Sequence, residues 1–225
     1  MILDIYHGSD HIIEKPIFGD GKKYNDYGLG FYCTESPDMA KEWGVSENAD
    51  GYANHYTIDC AGLTILDLNS SEYTILHWLS VLLENRYFDI LSPLANQARD
   101  YLLSAFHVNY EKYDCITGYR ADDSYFSFAQ DFINGSISLR QLDTAMHLGK
   151  LGRQFVLKSP AAFERLHFEG YEIAYHSQWY VKRKMRDSKA RKDYLNKERF
   201  NIQPGDIFVT QLITEEIKPD DSRLR

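Results

Sequence analysis

Residues 24–43 read YNDYGLGFYCTESPDMAKEW, and this stretch sets the expectations for the rest of the chain. Gly28 and Gly30 flank Leu29 just before the aromatic pair Phe31 and Tyr32, so the backbone can turn tightly and then extend. Cys33 and Thr34 continue the extended run. Ser36 followed by Pro37 then reads as a helix start, with Ser36 as the N-cap and Pro37 as the first helical residue. A glycine-flanked strand that leads into a helix N-terminus can hold a phosphate or a flat ring, because its amides point outward and no Cβ blocks approach. By itself, Gly-x-Gly is a weak signal and reads first as an ordinary tight turn.

Composition sets the bounds. The 225 residues, 44% hydrophobic and 14% aromatic, are enough for one large or two small domains with a core. No basic start, apolar stretch and small-residue cleavage site occur together near the N-terminus, and no apolar run approaches the roughly 20 residues that span a bilayer. The expectation is therefore a cytoplasmic protein with no membrane partner. Cys33, Cys60 and Cys115 are scattered and lack metal-ligand spacing, which predicts reduced core thiols and no metal. The net charge of −8 disfavours nucleic-acid binding through bulk charge. The distribution is uneven, however: Lys182 to Arg199, KRKMRDSKARKDYLNKER, carries nine basic residues against three acidic ones. It reads either as a solvated helical face or as a surface for an anionic partner such as RNA or an acidic protein.

Working outward from the opening stretch, Ile2 to Tyr6 alternates as a strand that His7-Gly8-Ser9 closes. Strands are expected at Ala53–Asp59, Leu63–Leu68, Tyr113–Tyr119 and Gln154–Lys158. Helices are expected at Tyr73–Asn85, Pro93–Tyr110, from Ser124 to Gly135, and from the capping box Ser138-Leu139-Arg140-Gln141 to about Leu148. His77 and Trp78 read as core. Asp122 and Asp123, beside Arg120 at a strand end, read either as a polar site or as the cap of the next helix. Ala161 to Leu166 reads as a short helix, Asp206 to Ile217 as a final strand, and the tail KPDDSRLR as mobile. With no repeat or linker, residues 1–225 are expected to form a single α+β domain.

Tyr6-His7-Gly8-Ser9, followed about two dozen residues later by Gly28-Leu29-Gly30-Phe31-Tyr32, resembles the nicotinamide pocket of the ADP-ribosyltransferase superfamily. The branch in question includes the poly-ADP-ribose polymerases and diphtheria toxin and carries a His-Tyr-Glu triad. More narrowly, these motifs, with Ala121-Asp122-Asp123 and then Gln154-Phe155-Val156 before a short Lys158-Ser159 helix, look like a bacterial group catalogued as DUF3990 and associated with toxin-antitoxin systems. The resemblance covers roughly Ile2 to Phe168. Residues 170–225, with the basic helix, form a C-terminal extension outside it.

The resemblance implies split mixed and antiparallel β-sheets flanked by helices, with NAD as co-substrate and no metal. His7 would bond the hydroxyls of the adenine-side ribose. Gly8 would hold the nicotinamide amide through its backbone, with Ser9 assisting, and Tyr32 would stack on the nicotinamide. Gly30 and Phe31 share that turn, and Trp43 falls where the polymerases place a second flanking aromatic. Gln154 stands where the family has glutamate. It can position a ribose hydroxyl but cannot act as a base, so activation of an acceptor would fall to Asp122 or Asp123, or to Glu215 or Glu216. The implied activity is transfer of ADP-ribose from NAD to a macromolecular acceptor by a toxin-like effector, with an antitoxin protein as a further partner. Plain NAD hydrolysis and a non-catalytic nucleotide- or partner-binding module are the alternatives, and Gln154 is what favours the last.

Overall fold

A computed structural model describes residues 1–224, the side chain of Asp123 excepted. The chain is α+β, with seven strands in two sheets and eight α-helices among the described residues. The first sheet is antiparallel: β1 (Ile2–Ser9) and β7 (Leu166–Ala174) flank β3 (Gly51–Asp59). The second runs β2 (Phe31–Cys33), β6 (Gln154–Leu157), β5 (Cys115–Gly118), β4 (Ile65–Asp67), with only the β4–β5 pair parallel. The sheets meet where Tyr6 and Thr34 exchange backbone hydrogen bonds of 2.7 and 2.9 Å.

The second sheet is buried on both faces, which explains why QFVL shows no polar alternation. Phe155 and Leu157 join Ile5, Cys33, Tyr56 and Cys115 in a core between the sheets. Val156, one residue out of phase, faces the larger core built on α2 (Ile75–Asn85), α3 (Pro93–Ala105) and α4 (Asp123–Ile133). Trp78 is fully buried there, and all three cysteines are buried and free, as the sequence led us to expect. Ser36 caps α1 (Pro37–Gly44) through the Met39 amide, and the Ser138–Gln141 capping box opens α5 (Leu139–Met146).

Three expectations are corrected. β1 does not close at His7 but continues through Ser9, paired with β3 to its end. Asp206–Ile217 is not a strand: α8 (Val209–Thr214) forms because Val209, Leu212 and Ile213 fall at i, i+3 and i+4 and pack on the helical core, while Gln211 Oε1 accepts from the Phe208 amide at its start. The short helix α6 is Pro160–Glu164 rather than Ala161–Leu166, and Leu166 already belongs to β7. β7 and then α7 (His176–Asp193) carry the residues beyond 168 directly onto the first sheet and onto α1. No helix among the described residues is long and apolar enough to cross a membrane.

Candidate functional site

At the seam between the sheets lies a cavity of about 310 Å³. His7, Gly8, Tyr32, Trp43, Asp122 and Gln154, all singled out from sequence, line it together with Asn25, Asp26, Arg86, Arg120 and Ala121. A groove of about 650 Å³ beneath residues 11–22 adjoins it, sharing His7, Asn25 and Tyr32 and reaching Gly30, Phe31 and Phe163.

The position of Gly8 follows from strand alternation. Tyr6 turns its N–H and C=O away from β3 toward Thr34, so Gly8, two residues on and still paired with Ala53, turns its own amide and carbonyl to that same edge. β2 has left the edge by then, and no described residue bonds either atom across it. Glycine is needed for packing: a Cβ here would sit 2.0 Å from the Ala40 carbonyl and 2.9 Å from Trp43 Cβ. The absence of a side chain lets α1 close against β1 and bring Trp43 to the cavity.

His7 donates from Nδ1 to the Tyr32 carbonyl at 2.7 Å and stacks on Phe31, with ring centroids 4.3 Å apart. Burial is the main influence that lowers its pKa, so the ring is neutral and the carbonyl fixes the proton on Nδ1. Nε2 is then an acceptor. Tyr32 contributes its ring to the wall, but its hydroxyl is committed, donating to the Gly28 carbonyl at 2.6 Å and accepting from the Tyr27 amide at 3.0 Å. Lys158 Nζ ties the same loop by donating to the Tyr27 and Leu29 carbonyls, at 2.5 Å each. Desolvation pulls the Lys158 pKa down to about 8. Gly28, at φ +70°, is where the turn requires glycine.

Gln154 is only 4% exposed. Its Nε2 donates to Asp26 Oδ2 at 2.9 Å, and Oε1 has no protein partner. Asp26, equally buried, also accepts from the Ala121 amide and from Arg86 Nη1, both at 2.8 Å. Burial pushes the Asp26 pKa up, while the amide, Arg86 and Gln154 pull it down. Three donors on its two oxygens leave no acceptor that a carboxyl proton could face. Asp26 therefore acts on Gln154 as an acceptor and fixes the amide with its oxygen left free. Sequence reading missed Asp26, Arg86 and Asn25. Asp26 and Asn25 sit in the quoted stretch but belong to no motif, and Arg86 is 60 residues further on.

Asp122 stands at the N-cap position of α4, yet its side chain bonds none of the helix amides. Its carboxylate faces Arg186 Nη2 at 3.4 Å instead. Burial raises the Asp122 pKa, with Arg120 and Arg186 opposing. Asp123 is the first residue of α4, and its side chain lies outside the described residues. Ser9 is not in the cavity wall: its hydroxyl donates to the His11 carbonyl and accepts from Asn54. Glu215 and Glu216 follow α8, away from both cavities, with Glu215 held by Arg223.

Six buried side-chain polar atoms lack a partner among the described residues. Trp43 Nε1, Arg120 Nη1, Asp122 Oδ1 and Gln154 Oε1 belong to residues lining this cavity, and Arg186 Nη1 belongs to a residue bonded to its wall. Each such atom is costly unless something bonds it, and five of the six belong to the wall of this cavity or to a residue bonded to it. No cluster of three or more His, Cys, Asp or Glu side chains suited to a metal occurs among the described residues.

Residues 3–168 match the model of the family described as Protein of unknown function (DUF3990), and the chain belongs to that family. No curated protein and no solved structure matches it.

Proposed function

We propose that this DUF3990 protein is an NAD-dependent ADP-ribosyltransferase, a toxin-like effector that breaks the nicotinamide glycosidic bond and passes ADP-ribose to a macromolecular acceptor. One observation carries the reading: His7, Gly8, Tyr32 and Gln154, the four positions at which the chain resembles that superfamily, line one cavity although they span nearly 150 residues of sequence.

The donor and acceptor pattern fits the substrate. An extended residue that presents N–H and C=O on one edge is the complement of a primary carboxamide, and Gly8 offers that pair. Tyr32 supplies a ring whose hydroxyl is held out of play by Gly28 and Tyr27, so the face can stack on a flat heterocycle. His7 Nε2 and Gln154 Oε1 are both acceptors, suited to ribose hydroxyls. Loss of nicotinamide leaves positive charge on the ribose, and an amide oxygen backed by the Asp26 carboxylate is a negative pole aimed at that charge. Gln154 thus binds and polarises. It takes no proton, so the acceptor nucleophile must be deprotonated by another group; of the two wall carboxylates whose pKa burial raises, Asp26 is occupied by three donors and Asp122 keeps an oxygen without a partner.

The uncharged Gln154 also favours a second reading, a module that holds the dinucleotide without turning it over. Nicotinamide release from NAD by the purified protein, with and without cell lysate as acceptor, separates the two. Transfer predicts lysate-dependent release that His7→Ala and Gln154→Ala abolish, and release without lysate indicates hydrolysis. Calorimetric binding of NAD with no release under any condition would defeat the enzymatic reading in favour of the binding module.

A further inference from the structure

Arg120 is the one cation of the wall whose guanidinium the described residues do not bond. Arg86 pairs with Asp26, and Arg186 pairs with Glu42 and Asp122. Arg120 makes no ion pair or hydrogen bond to any described residue, and its buried Nη1 has no partner. Its Cζ sits over Trp43, 3.7 Å from the ring centroid, so the indole holds the guanidinium in place without using its donors. A half-buried guanidinium without hydrogen-bond partners is destabilising, and desolvation pulls its pKa down to about 10, with Asp122 and Asp26 pulling the other way.

Arg120 also lines a second, smaller cavity of about 120 Å³ with Asp122, Arg183, Lys184 and Asp187. That is roughly four waters' share of liquid volume, room for one compact tetrahedral group. Of the acidic groups at this place, Asp187 accepts from Ser124 and Arg191, while Asp122 shares Arg186 with Glu42 and keeps Oδ1 without a partner. Arg183 bonds only the Glu42 and Val45 carbonyls, at 3.3 and 3.4 Å, and Lys184 has no carboxylate partner among the described residues. The amino end of α4, whose amides Asp122 leaves uncapped, stands at the same wall. Arg183 and Lys184 come from α7, beyond the residues that match the family.

We infer that Arg120, with Arg183 and Lys184 behind it, is a receptor for a phosphate group, so the ligand of this cleft carries a phosphate or diphosphate. A forked guanidinium pre-placed on an indole recognises phosphate bidentately, and the three cations of this small cavity outnumber its two carboxylates, of which Asp187 is already bonded by Arg191. If the ligand is the proposed dinucleotide, the group is its diphosphate. The inference does not require nicotinamide.

The test uses the full chain with inorganic pyrophosphate, ADP-ribose and adenosine as probes, by calorimetry at low and moderate salt. The wild type should bind pyrophosphate and ADP-ribose with an affinity that falls as salt rises. Arg120→Met, which keeps the stem and removes the charge, should weaken both at least tenfold, leave any adenosine binding unchanged, and unfold at an equal or higher urea concentration than the wild type. Arg120→Lys should fall between, since it keeps the charge without the fork, and it serves as the reporter if Arg120→Met does not fold. Failure of the wild type to bind either phosphate compound, or equal binding by the substituted protein, would overturn the inference. So would a lower urea midpoint for Arg120→Met with binding unchanged, which would make Arg120 a structural residue. Pyrophosphate binding without nicotinamide release would leave the receptor standing and remove the transferase reading. Nicotinamide release with phosphate binding indifferent to Arg120 would do the reverse.

Discussion

Replacing Gln154 with Glu places a second carboxyl where Nε2 now donates to Asp26 across 2.9 Å. Two full charges at that separation repel by about 6 kcal/mol at an effective dielectric near 20, equivalent to ~4 pKa units. Arg86, 2.8 Å from Asp26, offsets part of that but already serves Asp26 in the native protein. The pair should therefore keep one proton well above the ordinary carboxylate range. In that state the introduced carboxylic acid is a near copy of the amide it replaces: its O–H donates to Asp26 and its carbonyl oxygen takes the place of Oε1.

The consequence is a pH-dependent loss of stability. The folded-state pKa of the pair is raised above its unfolded value of about 4.3, so in the window between them the folded state binds more protons than the unfolded state. Stability is fully present below the unfolded pKa and is lost as pH rises through the folded one. At acidic pH Gln154→Glu should unfold within about 1 kcal/mol of the wild type. On full ionisation the deficit approaches the ~6 kcal/mol above, or roughly 12–24 °C in Tm for a chain of this size. Urea unfolding of both proteins from pH 4 to 9 measures it without any assumption about activity. Parallel pH profiles would mean that residue 154 and Asp26 do not face one another, and the argument that Asp26 orients the amide would fail with them.

Other consequences can be checked alongside. Lys158, with its pKa pulled down to about 8 against about 10.4 unfolded, holds fewer protons when folded than when unfolded in that window, so wild-type stability should rise with pH between those values. Lys158→Met should lose that slope, and an unchanged slope would show that the ammonium is not in the Gly28–Gly30 turn. Gly8→Ala must push α1 off β1, since its Cβ falls 2.0 Å from the Ala40 carbonyl, and should cost about 3 kcal/mol or more in urea unfolding. A near-neutral result would contradict the close approach of α1. On the basic helix, Lys182, Arg186, Lys189, Arg191, Lys197 and Arg199 are in ion pairs with carboxylates. That commitment leaves Arg183, Lys184 and Lys192 and predicts weak RNA binding by this helix, with a log–log salt slope no steeper than about −2 if these three engage at ~0.7 each, whereas a slope near −4 would show that the ion pairs open for RNA.

What the sequence made legible is what local chemistry encodes. Ser36 before Pro37, the Ser138–Gln141 box and Gly28 at positive φ were readable because a cap or a turn needs particular residues at fixed offsets. Asp206–Ile217 misled because Ile207 and Val209 alternate before Leu212 and Ile213 switch to helical spacing, and a run that short fits both periods until packing decides. The cavity shows the same division. His7, Gly8 and Tyr32 sit in recognisable strings, and a motif gave Gln154 its place without saying which end of its amide faces the cavity. That depends on Asp26, a lone aspartate in a loop 128 positions away, and on Arg86 and the Ala121 amide that hold Asp26. Arg120 is visible in sequence only as a charge beside two others. Its meaning appears when folding commits Arg86 and Arg186 to carboxylates and leaves Arg120 pinned to Trp43 with none. The pairing of side chains across elements is a property of the whole fold, so the unbonded guanidinium that would select a ligand emerges only from the assembled cavity.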